Sequence, residues 1–205
     1  MKKQISTRKA YGQNKLTLLD HFGVYLSSLA IKRNLPKTKD IVVLDIGCGY
    51  HASLLLSLAD RMKQGIGIDF TVSPGLHLQK KYQFIEMPIE IAMEKLQHIF
   101  PDVIMLISVF EHLHDPLNIL KNCYRLLKKN GVILINVPTW TGKVFLEFAA
   151  FKLKLAPAIE MDDHKMYYSK RDLWPLLVKA GFKPSKIKLH YHKFGLNLFA
   201  VVTKS

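Results

Sequence analysis

The stretch Ile41-Val42-Val43-Leu44-Asp45-Ile46-Gly47-Cys48-Gly49 decides the fold. Its four leading apolar residues, three of them β-branched, form the short continuous run expected of a strand buried on both faces, and the run ends in an acid and two glycines. That is a strand entering a tight loop. Glycine tolerates positive φ and lets a ligand come close to the main chain, and Ala52 to Ala59 then reads as a helix whose N-terminus faces the same ligand.

A Gly-x-Gly turn alone suits any doubly wound domain. The third glycine of the dinucleotide fingerprint Gly-x-Gly-x-x-Gly is missing, since Leu54 stands near that register beside Ala52 and Ser53. Downstream, Gly65-Ile66-Gly67-Ile68-Asp69-Phe70 is a second short buried strand, with its acid 20 residues after Gly49. A carboxylate at that strand end can accept hydrogen bonds from both hydroxyls of a nucleoside ribose, and Phe70 offers a surface for an adenine face or a core aromatic. Tyr82 to Pro88 reads as a third strand ending in Glu86-Met87, and Ile89 to His98 as the helix after it.

Farther out, the apolar spacing from Leu16 to Lys32 predicts an amphipathic helix closed by Asn34 and Pro36, preceded by the basic residues Lys2, Lys3, Arg8, Lys9 and Lys15. Asp102 to Phe110 predicts a long central strand running into Glu111-His112-Leu113-His114-Asp115-Pro116. Asp115 then caps a helix that has proline in its first turn and continues to Leu127. Asn130-Gly131 stops that helix before a fifth strand, Val132 to Pro138. Alternation of strands and helices, read from periodicity alone, predicts an α/β doubly wound parallel sheet.

Three of these segments together carry a family resemblance over about residues 40–203. Asp45-x-Gly47-x-Gly49 after a first strand resembles motif I of the class I S-adenosylmethionine-dependent methyltransferases. The strand followed by Glu111-His112-Leu113-x-Asp115-Pro116 is similar to motif IV of their small-molecule branch, and Leu127-Lys128-Lys129-Asn130-Gly131 stands where that family has Leu-Lys-Pro-Gly-Gly. The resemblance implies a Rossmann-like, mostly parallel seven-stranded sheet whose last strand is antiparallel. It also implies S-adenosyl-L-methionine as cofactor, held by Asp45, Gly47, Cys48, Gly49, Asp69, Phe70, Glu86, Met87, Ser108 and Val109. The ribose spacing itself is common to this cofactor and NAD. One departure is His51, where the family usually has a small residue, and it bears on the pocket near the cofactor's amino-acid end.

On this reading residues 1–39 are an N-terminal helical segment, with Tyr11 as a lid residue or part of an exposed arm, and residues 40–205 are the methyltransferase domain. A helical insertion falls at about 139–168, where the family varies with substrate. Its apolar and basic stretch from Lys143 to Leu155 fits a packed core helix, a lid, a dimer face or a peripheral membrane contact. His164 then precedes Ser169, the cap of a helix over Lys170 to Ala180, and Lys186–Tyr191 and Leu196–Thr203 are two final strands joined around Phe194-Gly195.

The 205 residues suffice for one domain with a sizeable core, and 49% apolar with 22% charged residues is a globular composition. No apolar run approaches the roughly 20 residues that span a bilayer, Gln4 to Leu19 has no signal-peptide apolar region, and two cysteines suit a reducing compartment, so a cytoplasmic location is expected. The net charge of +14 is uneven, at +3 for residues 1–120 and +11 for residues 121–205. Such a field favours anionic partners, while dispersed lysines also serve solubility.

Methyl transfer from a sulfonium depends on positioning and desolvation, with a base required only when the acceptor must lose a proton. His112 and His164 have the imidazole for that task. The spacing of Glu111, Asp162, Asp163 and these histidines is not a metal signature, and no metal is expected. The leading expectation is O-methylation of a small-molecule or lipid-linked acceptor, with an anionic one suited to the charge. RNA methylation is the alternative suggested by the basic half, but Ser108-Val109-Phe110-Glu111 stands where a base-methylating enzyme has Asn/Asp-Pro-Pro-aromatic. A non-catalytic binding protein with the same fold is a third reading, because fold does not settle function.

Overall fold

The computed structural model describes residues 10–13, 18–96, 98–147 and 165–205. Its strands are β1 (Val42–Ile46), β2 (Gln64–Asp69), β3 (Tyr82–Glu86), β4 (Val103–Ile107), β5 (Val132–Pro138), β6 (Ile187–His192) and β7 (Asn197–Thr203). They form one sheet in the order β3-β2-β1-β4-β5-β7-β6. All pairings among β1 to β5 are parallel, and β7 enters antiparallel between β5 and β6. This is the predicted doubly wound sheet with its antiparallel last strand.

The helices are α1 (Leu18–Asn34), α2 (Ser53–Leu56), α3 (Ile89–Lys95), α4 (Pro116–Leu126), α5 (Trp140–Glu147) and α6 (Lys170–Lys179). Both sheet faces are covered, which explains the unbroken apolar runs. Along β4, Ile104 and Leu106 pack in the cluster with Ile119 of α4 and Leu173 of α6, whereas Val103 and Met105 pack in the cluster with Ile31 of α1 and Leu55 of α2. The predicted caps form as read. Asp115 accepts from Asn118 N at 3.0 Å, and Ser169 closes a capping box with Asp172 over α6.

Two expected elements are shorter. The central strand does not run to Phe110; it stops at Ile107, and Ser108 takes a left-handed φ of 55° that turns the chain into a 3-10 turn at Phe110–His112. The helix expected over Ala52 to Ala59 is a single turn followed by a 3-10 turn at Ala59–Arg61, because Ala52 is left-handed and the Ser57 hydroxyl bonds Leu54 O. The insertion beyond Glu147, including Asp162, Asp163 and His164, lies outside the described residues. None of the described helices is long and apolar enough to cross a membrane.

Two acids inside this frame resist ionisation. Burial, and then the charge of Asp69, push Asp45 up to about 7, and burial pushes Glu111 up to about 8. A carboxyl raised from 3.8 to about 7 in the folded protein binds its proton more tightly there than in the unfolded chain. Its contribution to stability is therefore full below the unfolded value and lost as pH rises through about 7, a difference of roughly 4 kcal/mol.

Asp45→Asn is therefore expected to raise the melting temperature by several degrees at mildly alkaline pH, with the gain vanishing near pH 4; denaturation scans across pH check both limbs. Gly47 provides a second test. It has φ of 75°, and a Cβ there would lie 2.6 Å from a Val109 methyl. Gly47→Ala is expected to destabilise the fold by about 2 kcal/mol or more, and adding Val109→Ala, which removes that methyl but leaves its own Cβ, to recover only part of the loss in a denaturant titration.

Candidate active site

The carboxyl ends of β1, β2 and β4 meet at one edge of the sheet, where loops lie free of the strands' own ladders. Gly47 N and Cys48 N both donate to Ile68 O, at 2.8 and 3.0 Å, drawing the glycine loop over the end of β2. Asp69 completes the tie. Its two oxygens accept from Gly49 N and Phe70 N, each at 2.7 Å. These bonds lower its pKa, yet burial outweighs them and the net shift is upward. Each oxygen keeps a second lone-pair direction, so the carboxylate retains capacity for a ligand hydroxyl.

Asp45 lies behind the loop, 2% exposed, with Oδ2 buried and unpartnered. An unpaired buried carboxylate oxygen is costly, and a cationic ligand group at the strand ends is what would relieve it. Asp45 and Asp69 set two acids at the strand ends of a chain of +14, a local composition suited to cationic ligand groups. The four-residue α2 supplies no long helix dipole for phosphates.

The remaining predicted cofactor residues divide. The Cys48 side chain is buried, its thiol pushed upward first by burial and then by Asp45, so only its backbone faces the loop; a Cβ on Gly67 would lie 2.9 Å from its sulfur. Ser108 is exposed at the end of β4, and Val109 packs on Gly47. Met87 N donates to Asp69 O, which keeps β3 in register with the site. Glu86 is occupied differently. It accepts from Val72 N and Thr71 Oγ1, both at 3.0 Å, and pairs with His77 at 2.9 Å, so it fastens the segment after β2, and its pKa falls, chiefly through the Val72 bond. His51 is exposed, edge-on to Tyr50 at 4.9 Å. Over the same loop, Tyr50 N donates to Tyr11 O at 2.8 Å, seating residues 10–13 against Gly49.

At the end of β4, Glu111 is 2% exposed with Oε2 buried and unpartnered. Its backbone oxygen accepts from Lys165 N, and the next carbonyl, of His112, accepts from Lys165 Nζ at 2.6 Å. Tyr168 packs on Phe110 at 5.3 Å, its phenol pushed up to about 12 by burial and by Glu111. The β6–β7 hairpin closes this side, since Thr139 N donates to Leu196 O and Thr139 Oγ1 to Gly195 O. It brings in Lys193, which the sequence reading missed; one lysine among many in a basic half carries no signal of its own. Among the described residues no His, Cys, Asp and Glu cluster could hold a metal.

Comparison with known proteins agrees with the fold. The family model for the methyltransferase domain matches residues 19–186. The chain is 34% identical over 131 residues to the ubiquinone biosynthesis O-methyltransferase of Histophilus somni, covering 56% of this chain and 53% of the relative. With the enzyme of the same name from Vibrio cholerae it is 26% identical over 162 residues, 74% and 65% of the two chains. It thus spans between half and two-thirds of the length of these curated relatives. Among solved structures, a SAM-dependent methyltransferase of Thermotoga maritima superposes with a TM-score of 0.67 at 20% identity over 92% of both chains, and one of Archaeoglobus fulgidus with 0.65 at 18% over 88% and 94%. From this match, which extends over most of the sheet and its covering helices, the chain belongs to the methyltransferase-domain family, whose cofactor is S-adenosylmethionine.

Proposed function

We propose that the protein transfers a methyl group from S-adenosylmethionine to a hydroxyl oxygen of a small-molecule acceptor. The observation that carries this reading is the pair of buried carboxylates at the ends of β1 and β2, one with an unpartnered oxygen, in an otherwise cationic chain. Bound cofactor supplies a methyl group on a positively charged sulfur. Asp69 holds the ribose hydroxyls, Asp45 offsets positive charge, and the backbone of Gly47 to Gly49 leaves room beside them. The segment at residues 10–13 excludes water from the loop.

O-methylation is supported by the names of the curated relatives and by the buried carboxyl of Glu111 on the acceptor side. For the proton of a hydroxyl acceptor the candidates are the imidazoles of His112 and His164 and the carboxylate of Glu111. An anionic acceptor suits the cationic chain, and a lipid-linked one the exposed Val144 and Phe194.

Calorimetric titration with S-adenosylmethionine and S-adenosylhomocysteine, with NAD alongside, tests the cofactor assignment. Binding of the first two without NAD is expected, and Asp69→Ala should weaken it by about 1.5–3 kcal/mol, the loss of charge-assisted hydrogen bonds. Unchanged affinity in that variant would remove Asp69 from the site, and NAD binding would replace the cofactor.

A further inference from the structure

The edge strand β6 and the helix α6 leave a trough between them. Ile187, Leu189 and Tyr191 alternate onto one face of β6, and the first two, with Lys170, Arg171 and Trp174 of α6, line a depression of about 600 Å³. β6 ends the sheet, so no further strand closes the outer side. A second depression, of about 290 Å³, lies at the end of β5, where Trp140, Tyr168 and Tyr191 wall it together with Thr139 and Ser169. The two meet at Lys170, which lines the larger one and holds its ammonium 5.0 Å from the Tyr191 ring in the smaller.

The linings differ in what they suit. Rings wall the smaller depression, which fits a planar group against them. In the larger one Pro175, Ile187 and Leu189 offer aliphatic surface beside Trp174, and the stems of Lys170 and Arg171 extend it, which fits a flexible apolar chain. Among the described residues no acid lines either depression, so a cationic ligand finds no counter-charge there. Trp140, Trp174 and Tyr191 are all exposed, and that much aromatic surface along one concave strip marks a place where something binds.

The strip also has a direction. Tyr168, a wall of the smaller depression, packs at 5.3 Å on Phe110, just past the end of β4, and its N–H donates to Pro138 O at the end of β5. The smaller depression therefore adjoins the acceptor side, and the larger one leads away from it along β6. Resting on the methyl-transfer reading above, we propose that the acceptor is an uncharged or anionic amphiphile, whose hydroxyl-bearing ring enters the smaller depression and whose apolar chain lies in the larger one. Leu189 and Trp174 touch no reacting atom; they position the acceptor through its chain.

The chain's two tryptophans, Trp140 and Trp174, line one depression each, so intrinsic fluorescence reads occupancy of both. The test titrates the full chain, with S-adenosylhomocysteine present, with 4-alkylphenols from methyl to octyl below their solubility limits. Full burial of a methylene is worth about fourfold in affinity, and a trough open on one side is expected to realise about twofold per methylene. 4-(8-Bromooctyl)phenol, whose bromine quenches indole on contact, should quench more strongly than 4-octylphenol. Leu189→Glu, which sets a charge on the floor, should flatten the series at the affinity of 4-methylphenol. Trp174→Glu, at an exposed helix position, should do the same with Trp140 as reporter, so a folding failure in one variant does not remove the test. A flat series in the wild type, an undiminished slope in both variants, or octylamine binding as tightly as 4-octylphenol overturns the proposal. Calorimetry with S-adenosylhomocysteine reports the cofactor site separately: no binding there beside an intact slope is a failure of the methyl-transfer reading, and binding there beside a flat slope is a failure of the trough.

Discussion

The Asp69 carboxylate is the constraint on which the cofactor half of the molecule depends. It accepts from Gly49 N in the loop after β1 and from Phe70 N at the end of β2, joining two crossings of the chain through one side chain. Without that tie the glycine loop would present unpaired N–H groups to a largely buried carboxylate, both costly. The same oxygens keep further lone-pair directions, so the group that organises the loops is also the one proposed to recognise the ribose. Stability and binding draw there on one set of lone pairs.

Negative charge is confined where the protein can use it. Asp45, Asp69 and Glu111 are all buried at strand ends, while the lysine-rich remainder makes the molecule strongly cationic. The raised pKa values of Asp45 and Glu111 record that confinement. In the family's chemistry a cation arrives and a neutral thioether leaves, and an ionised carboxylate in this place would attract the first by charge and not the second.

Much of the architecture was legible in the sequence because it rests on local rules. The buried runs at Ile41–Ile46 and Val132–Pro138, the Asp115-Pro116 cap and the Ser169 capping box each carry their signal within a few residues. What escaped depends on distant partners. Ile107-Ser108-Val109-Phe110 reads as continuous strand, but the packing of Val109 on Gly47 and the bonds joining Ser108 to Asn136 accompany a turn at Ser108. Glu86 matched a cofactor position by its place after β3, but the 3-10 turn at Pro74–Leu78 brings His77 back onto it. Lys193 emerges only once β7 has doubled back on β6.

That doubling back has a temporal consequence. β7 is the last strand in the chain, yet it lies inside the sheet, bonded to β5 on one side and β6 on the other. Strands β1 to β5 can pair as they emerge from the ribosome, and the loops between them form with them, but β6 has no neighbour in the sheet until β7 has been made. A nascent chain would therefore acquire the loops after β1 and β2 first and the β6–β7 hairpin last. Between those two moments the flank of β5 is an open edge able to pair with other chains.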